Sequence, residues 1–289
     1  MLPSGKYLGF QSMFYNFFVN LPPSSEPSQE EYLPDGHYMI ASDKAQGMEW
    51  PIFHTMAADF IRELKDDINL FITDIRRFSA WSRVNEQCPE EYKNDFAWEI
   101  FAPIASSVLN RPYIIQQRFI YISSMLLHQT KVFLDTEAKD HKPLDEFRID
   151  RKHFRKQFKG DDALTNGHKL MSSVLEIAGQ DFIESTRHFR NLYHHRIPQE
   201  IETGLSPCVN IGEGTGKKEV RKSTLFSGSR RMGTKTIIYD FCVLKPVKVS
   251  DILLSLYKQH RVCVKSFYIF WDWISELVER WHSERPTDT

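Results

Sequence analysis

Apolar residues recur at steps of three and four from Pro51 onward. Phe53, Met56, Phe60, Leu64, Ile68, Ile72, Ile75 and Phe78 predict an amphipathic helix over about 52–84. Asn85 to Pro89 carries turn residues, and a shorter helix is expected over about 93–109, bent at Pro103. Pro112 suits the first turn of another helix, which reaches about Phe133 through Ile115, Phe119, Ile122, Met125 and Leu126. Segment 135–160 is charged, with weak periodicity. Thr165-Asn166-Gly167 then opens a helix through Leu170, Val174, Leu175, Ala178, Phe182, Phe189 and Leu192, closed by Pro198.

The pattern differs at both ends. Residues 1–50 hold Pro22-Pro23, Pro27-Ser28 and a Pro34-Asp35-Gly36 turn, and read as an irregular extension. After residue 200, glycines punctuate short β-prone runs at Cys208–Ile211 and Thr234–Leu244, which predict a small β-hairpin. Ser250 caps a final helix reaching about Ser283. The expected fold is therefore mainly α: an antiparallel helical bundle with a β-hairpin insertion before its C-terminal helix. Residues 51–289 form the helical domain, with a basic insertion at 135–160 and the β insertion at 204–246.

A 289-residue chain that is 41% apolar and 26% charged supports one or two domains with a real core, not wholesale disorder. Cys88, Cys208, Cys242 and Cys263 form no CxxC pair, so they suit neither a zinc module nor a disulfide framework. They read as the reduced thiols of a cytoplasmic protein. No run approaches the ~20 apolar residues that span a bilayer, so no membrane partner is expected. The net charge of −1 excludes a uniformly basic nucleic-acid binder. Charge is nevertheless unevenly placed. Phe147 to Lys159 sets six cations against Asp150, a net of +5, and Gly216 to Lys235 sets seven against Glu219, a net of +6. The remainder then sums to −12. Arg151, Lys152, Arg155 and Lys156, interleaved with Phe147, Phe154 and Phe158, suit phosphates and unpaired bases. A solvated helix face explains the same pattern without a ligand.

The richest stretch is Thr186-Arg187-His188-Phe189-Arg190-Asn191-Leu192-Tyr193-His194-His195-Arg196-Ile197-Pro198. On the expected helix, Phe182, Phe189 and Leu192 face the core and the cations crowd the other face. Arg190 and His194 share a side, while His195 lies about 140° from Arg190 until the turn before Pro198 unwinds. Imidazole exchanges protons near neutrality, and guanidinium forks onto phosphate oxygens, so the combination suits phosphodiester chemistry. Cations at a helix C-terminus also simply complement the macrodipole.

At these residues the chain resembles the HEPN superfamily. Arg190-Asn191-x-x-x-His195 is similar to its motif of Arg, a polar residue, and His after an interval of four to six residues. The resemblance implies a helical bundle, usually dimeric. It also implies a metal-independent endoribonuclease of the kind found in toxin–antitoxin and phage-defence systems. Arg190 and His195 would be catalytic with Asn191 in the polar position, and His194 would substitute or assist. Arg187 and Arg196 would bind RNA alongside the 151–156 cations. No cofactor or metal is implied, and an antitoxin or other regulatory protein is an expected partner. The resemblance covers the helical part and leaves 1–50, 135–160 and 204–246 unexplained. The alternative is a non-catalytic helical module that binds a protein or nucleotide.

Other constellations are weaker. Gly212-x-Gly214-x-Gly216-Lys217 lacks Walker spacing. Glu184 and His188, four apart, suit a surface ion pair better than a metal. Cys263 lies among aromatic residues and reads as core. Trp271, Trp273, Trp281, Phe267 and Phe270 exceed what one helix face buries, so the surplus is a candidate interface, although burial in the bundle core explains the group more simply.

Overall fold

The computed structural model describes residues 4–20, 32–34, 49–134, 149–160, 164–190, 201, 206–214, 227–232, 235–244 and 246–284. It is mainly helical. Helices α1 (Ser4–Val19) and α2 (Glu49–Gln87) lead to a 3-10 turn (Glu90–Tyr92), α3 (Lys93–Phe96) and a π-helical turn (Ala97–Phe101). Then come α4 (Ala102–Leu134), α5 (Arg151–Gln157), α6 (Leu164–Glu176) and α7 (Gln180–Ser185). Strands β1 (Ser206–Gly214), β2 (Ser227–Met232) and β3 (Lys235–Leu244) precede the last helix, α8 (Val249–Glu284). The chain divides into two compact units: Met1–Phe182 with Leu253–Thr289, and Ile183–Ile252.

The first unit is built on α2, α4 and α8. Ring pairs Phe60–Tyr121 at 6.4 Å and Phe71–His260 at 5.9 Å set α4 and α8 against α2, and Phe119–Phe270 at 5.9 Å joins α4 to α8. Residue numbers fall along α4 and α8 as they rise along α2, so both run antiparallel to it. The expected apolar stripe of α2 is the buried one: Phe53, Leu64, Ile68, Ile72, Ile75 and Phe78 are all enclosed. Beside that core runs a charge ladder. Asp67 of α2 pairs with Arg118 of α4, Asp74 accepts from Arg111 at 2.8 Å, and Arg111 also reaches Asp67 at 3.9 Å. Burial pushes the Asp67 carboxyl above its usual range, while Arg118 and Arg111 pull it back.

Four expectations of the fold need correction. The irregular N-terminal reading misses α1, whose only charged residue is Lys6, so no polar face marks it in the sequence. Phe10 of α1 is buried against Phe96 at 5.0 Å, and Phe14 stacks on Trp81 of α2 at 4.5 Å. Further along, Asn69 of α2 bonds both main-chain polar atoms of Leu33, at 2.9 and 3.0 Å. Pro112 does not open a helix but sits inside α4. Its neighbours Val108, Leu109 and Ile115 are buried and Arg111 is held by Asp74, so tertiary contacts outweigh one missing backbone bond. The third concerns the β region. In place of a two-stranded hairpin there is a three-stranded antiparallel sheet in the order β1-β3-β2, with Val209 opposite Phe241 and Arg230 opposite Ile237. β2 arises from a Gly/Arg-rich stretch with little β propensity, so pairing to β3, not composition, defines it.

The helix expected to run from 165 to Pro198 is broken twice. α6 ends at Glu176, where Ala178 turns left-handed (φ 48°). Gly179 follows because its N–H bonds the Glu176 carbonyl at 3.0 Å, and a Cβ there would meet that oxygen at 2.8 Å. Side chains from three other helices fix this end. Gln116 of α4 donates to the Val174 carbonyl at 2.8 Å and to that of Ile177. Arg151 of α5 donates to the Gln116 side-chain oxygen at 2.7 Å and to the Ala178 carbonyl at 3.4 Å. Gln259 of α8 accepts from the Ala178 N–H at 2.7 Å. Last-turn carbonyls that a helix cannot satisfy internally are thereby paired inside the protein.

His260 lies opposite α2, only 1% exposed, and its Nε2 has no hydrogen-bond partner among the described residues. Burial lowers its pKa to about 4, a hydrogen bond with the Ile68 backbone opposing the shift and Arg261 adding to it. The folded imidazole thus resists a proton that the unfolded one takes up near pH 6.5. Stability from this residue is complete above about pH 6.5 and is lost as pH falls towards 4, by roughly 3 kcal/mol in all. Urea unfolding of the wild type and His260→Phe across pH 4–7 should show a steeper acid loss in the wild type. Parallel curves would refute this.

Candidate functional site

The second unit opens on the arginine and histidine cluster. α7 ends in a paired-bond cap: the His188 N–H reaches the Ile183 carbonyl at 2.7 Å and the Arg187 N–H reaches that of Glu184 at 2.9 Å. This is the Schellman arrangement, which places its C′ residue in the left-handed region usually held by glycine. Here the position is Arg187 (φ 51°), and His188 after it is left-handed as well (φ 60°). Two consecutive non-glycine residues in that region cost about 1–2 kcal/mol each. The turn is anchored by burial of Thr186 and Phe189, with the Phe189 N–H on the Thr186 carbonyl at 3.0 Å. Arg187, His188 and Arg190 are exposed around it, and Arg187 also donates to the Pro246 carbonyl at 3.4 Å.

Arg190 therefore does not sit late on a long helix, as expected, but begins a helical turn just after a reversal of the chain. Phe182 and Phe189 are both buried, as the periodicity requires, although the backbone between them is not one helix. Glu184 and His188 lose the shared helical face that would have let them act as a pair. Asn191, His194, His195 and Arg196 lie outside the described residues, as does the 191–198 segment that carries them.

The first basic strip divides into two kinds of residue. Asp150 caps α5 by accepting from the His153 N–H at 2.7 Å, which turns Phe154 and Phe158 inward. Both phenylalanines are fully buried, with Phe158 against Trp273 at 5.3 Å, so neither stacks on a base. Arg151 is likewise committed to Gln116 and Ala178. That corrects their assignment to RNA. Lys152, Arg155, Lys156 and Lys159 are exposed and keep the positive face. Of the second strip, Arg230 and Arg231 lie on β2 opposite Ile237 and Thr236, and Lys235 begins β3 opposite Met232. Residues 215–226 lie outside the described residues.

One open groove of about 660 Å³ escapes sequence reasoning, because it joins the start of α6 to the far end of α8. Its walls include His168, Glu276, Glu279 and Arg280, and Glu276 accepts the Asn166 N–H at 2.9 Å. Glu276 thus caps α6 from another helix. Among the described residues, no three metal-ligating side chains converge. Cys263 is fully buried and burial drives its thiol far up, which suits core packing and not nucleophilic attack. Compared with known proteins, the chain matches no family model, no curated protein and no solved structure.

The split within the basic strip is measurable. Arg151→Ala leaves the Gln116 oxygen and the Ala178 carbonyl short of a charged donor, and should cost about 1.5–3 kcal/mol in urea unfolding. Lys152→Ala, Arg155→Ala and Lys156→Ala should each stay within roughly 0.5 kcal/mol of wild type. Equal losses at all four positions would overturn the division.

Proposed function

We propose that this chain binds RNA and cleaves it without a metal, as a HEPN-type endoribonuclease. The observation that carries the reading is the turn before Arg190. A strained double left-handed backbone at Arg187 and His188 is held by buried anchors and exposes three basic side chains within four residues. Strain of that kind needs a compensating gain, and it accumulates at functional sites. In this reading Arg190 binds the scissile phosphate and stabilises charge as the pentacoordinate phosphorus forms. His195 takes the proton of the ribose 2′-hydroxyl, whose oxygen attacks the adjacent phosphorus. The bond to the 5′-oxygen breaks, and a second imidazole, from His194 or from a partner copy, protonates the leaving oxygen. The products carry 2′,3′-cyclic phosphate and 5′-hydroxyl ends. Asn191 orients His195, and exposed Lys152, Arg155 and Lys156 add attraction for the RNA backbone. A toxin–antitoxin or phage-defence role in the cytoplasm, with an antitoxin or regulatory partner, accords with this chemistry. No helix among the described residues is long and apolar enough to cross a membrane.

A second reading, a non-catalytic helical module for a protein or nucleotide, is favoured by one finding. Arg151, Phe154 and Phe158, which composition assigns to RNA, are structural. Incubation of the purified protein with RNA in EDTA separates the two. Cleavage to cyclic-phosphate ends should persist in EDTA and fall by about 10²–10⁴ in Arg190→Ala and His195→Ala. Because Arg190 is exposed, its variant should keep the wild-type circular dichroism. Undiminished cleavage in both variants, or cleavage only with added metal, would refute the nuclease. RNA binding without cleavage would favour the module.

A further inference from the structure

The strand register brings together two cysteines that lie far apart in sequence. Cys208 of β1 stands directly opposite Cys242 of β3, flanked by the pairs Val209–Phe241 and Pro207–Val243. Opposed residues of an antiparallel pair have Cα atoms about 4.5 or 5.5 Å apart, the longer spacing belonging to hydrogen-bonded pairs. A disulfide spans Cα separations of about 4.4–6.8 Å, so either kind of pair admits one. The match depends on this register: a slip of one residue would set Cys208 opposite Phe241 or Val243 instead.

Alternation along the strands separates two faces. Val209, Ile211, Tyr239, Phe241 and Val243 occupy one of them. The cysteine positions fall on the other, in line with Ser206 and Asn210 of β1, Asp240 of β3 and Ser229 of β2. In an antiparallel sheet of this pattern the apolar face packs and the polar one meets water, with whatever reagent the water carries. The remaining cysteines are placed differently. Cys88, just after α2, and Cys263 of α8 are buried free thiols, and burial raises the pKa of each. That withholds the thiolate on which disulfide exchange depends. In the order β1-β3-β2, β1 is an edge strand with β3 as its neighbour, so a bond between Cys208 and Cys242 would fasten that edge.

We infer that Cys208 and Cys242 form a reversible disulfide that clamps β1 to β3 when a low-molecular-weight disulfide is in excess. The thiolate of one cysteine attacks a sulfur of the small disulfide, releasing one small thiol and leaving a mixed disulfide. The thiolate of the other then attacks the protein sulfur and expels the second small thiol. Two protein thiols are oxidised and one small disulfide is reduced to two thiols, so atoms and electrons balance. A bond of this kind in a reducing compartment is transient and redox-sensing, not a structural staple. The inference rests on the register and stands whether or not the chain cleaves RNA. Full-length protein treated with oxidised glutathione, then acid-quenched, unfolded, alkylated and digested, should yield the Cys208 and Cys242 peptides joined. Cys88 and Cys263 should be recovered alkylated, and dithiothreitol should reverse the bond. In Cys208→Ser, Cys242 should stop at the mixed disulfide. Amide exchange along β1 should slow by about tenfold or more in the oxidised chain. Mixed disulfides at both positions of the wild type, linkage to Cys88, Cys263 or a second chain, or β1 exchange unchanged by oxidation would each overturn the clamp.

Discussion

Much of the helical unit depends on how the C-terminal end of α6 is held. A helix that stops inside a protein leaves carbonyls with no water to bond, and an orphaned one costs about 1–3 kcal/mol. Here Gln116, Arg151 and Gln259, from α4, α5 and α8, converge on three residues, Val174, Ile177 and Ala178. Each of the three helices is thereby indexed to the same turn. A shift of α4 along its axis by one residue, about 1.5 Å, would break both Gln116 bonds and leave Arg151 without its main acceptor. Apolar packing alone tolerates such sliding more readily, because Phe and Ile side chains bind without direction. Directional bonds at one point, and undirected packing everywhere else, give the bundle a defined register.

A second constraint operates at the start of the basic cluster. Glycine would relieve the backbone at Arg187 or His188, yet neither position has it. The fold tolerates the conformation because Thr186 and Phe189 are buried on either side and the cap bonds close the turn. The result is dense presentation of positive charge on a short and well-anchored stretch of chain. A regular helix would have spread the same side chains over a longer surface and turned some inward.

How far the sequence revealed this structure depends on the physical signal each part carries. α2 and α8 were legible because their apolar stripes are strong and long, and the same holds for the inward Phe182 and Phe189. The breaks at Ala178 and Arg187 were not, since neither residue is a recognised turn former and both are imposed by bonds from distant residues or by cap geometry. α1 lacks an alternating polar face, and Pro112 is overruled by its packed neighbours. At the candidate site, clustering made Arg187, His188 and Arg190 visible, while local spacing misassigned Arg151, Phe154 and Phe158. Their partners, Gln116 and Trp273, stand 35 and 115 residues away, beyond the reach of any local pattern.

The helical unit is discontinuous along the chain: it runs to Phe182 and resumes only at Leu253, inside α8. During synthesis this has a direct consequence. When α2 and α4 have left the ribosome, the partners of Phe53, Phe71 and Phe119 on α8 are still untranslated. The nascent bundle waits with an open apolar trough while some seventy intervening codons are read, several seconds at ordinary elongation rates. A chain cut short before α8 would stay in that condition and be a natural client for chaperones or proteases. Completion of the bundle therefore waits on synthesis of α8, whatever is made before it.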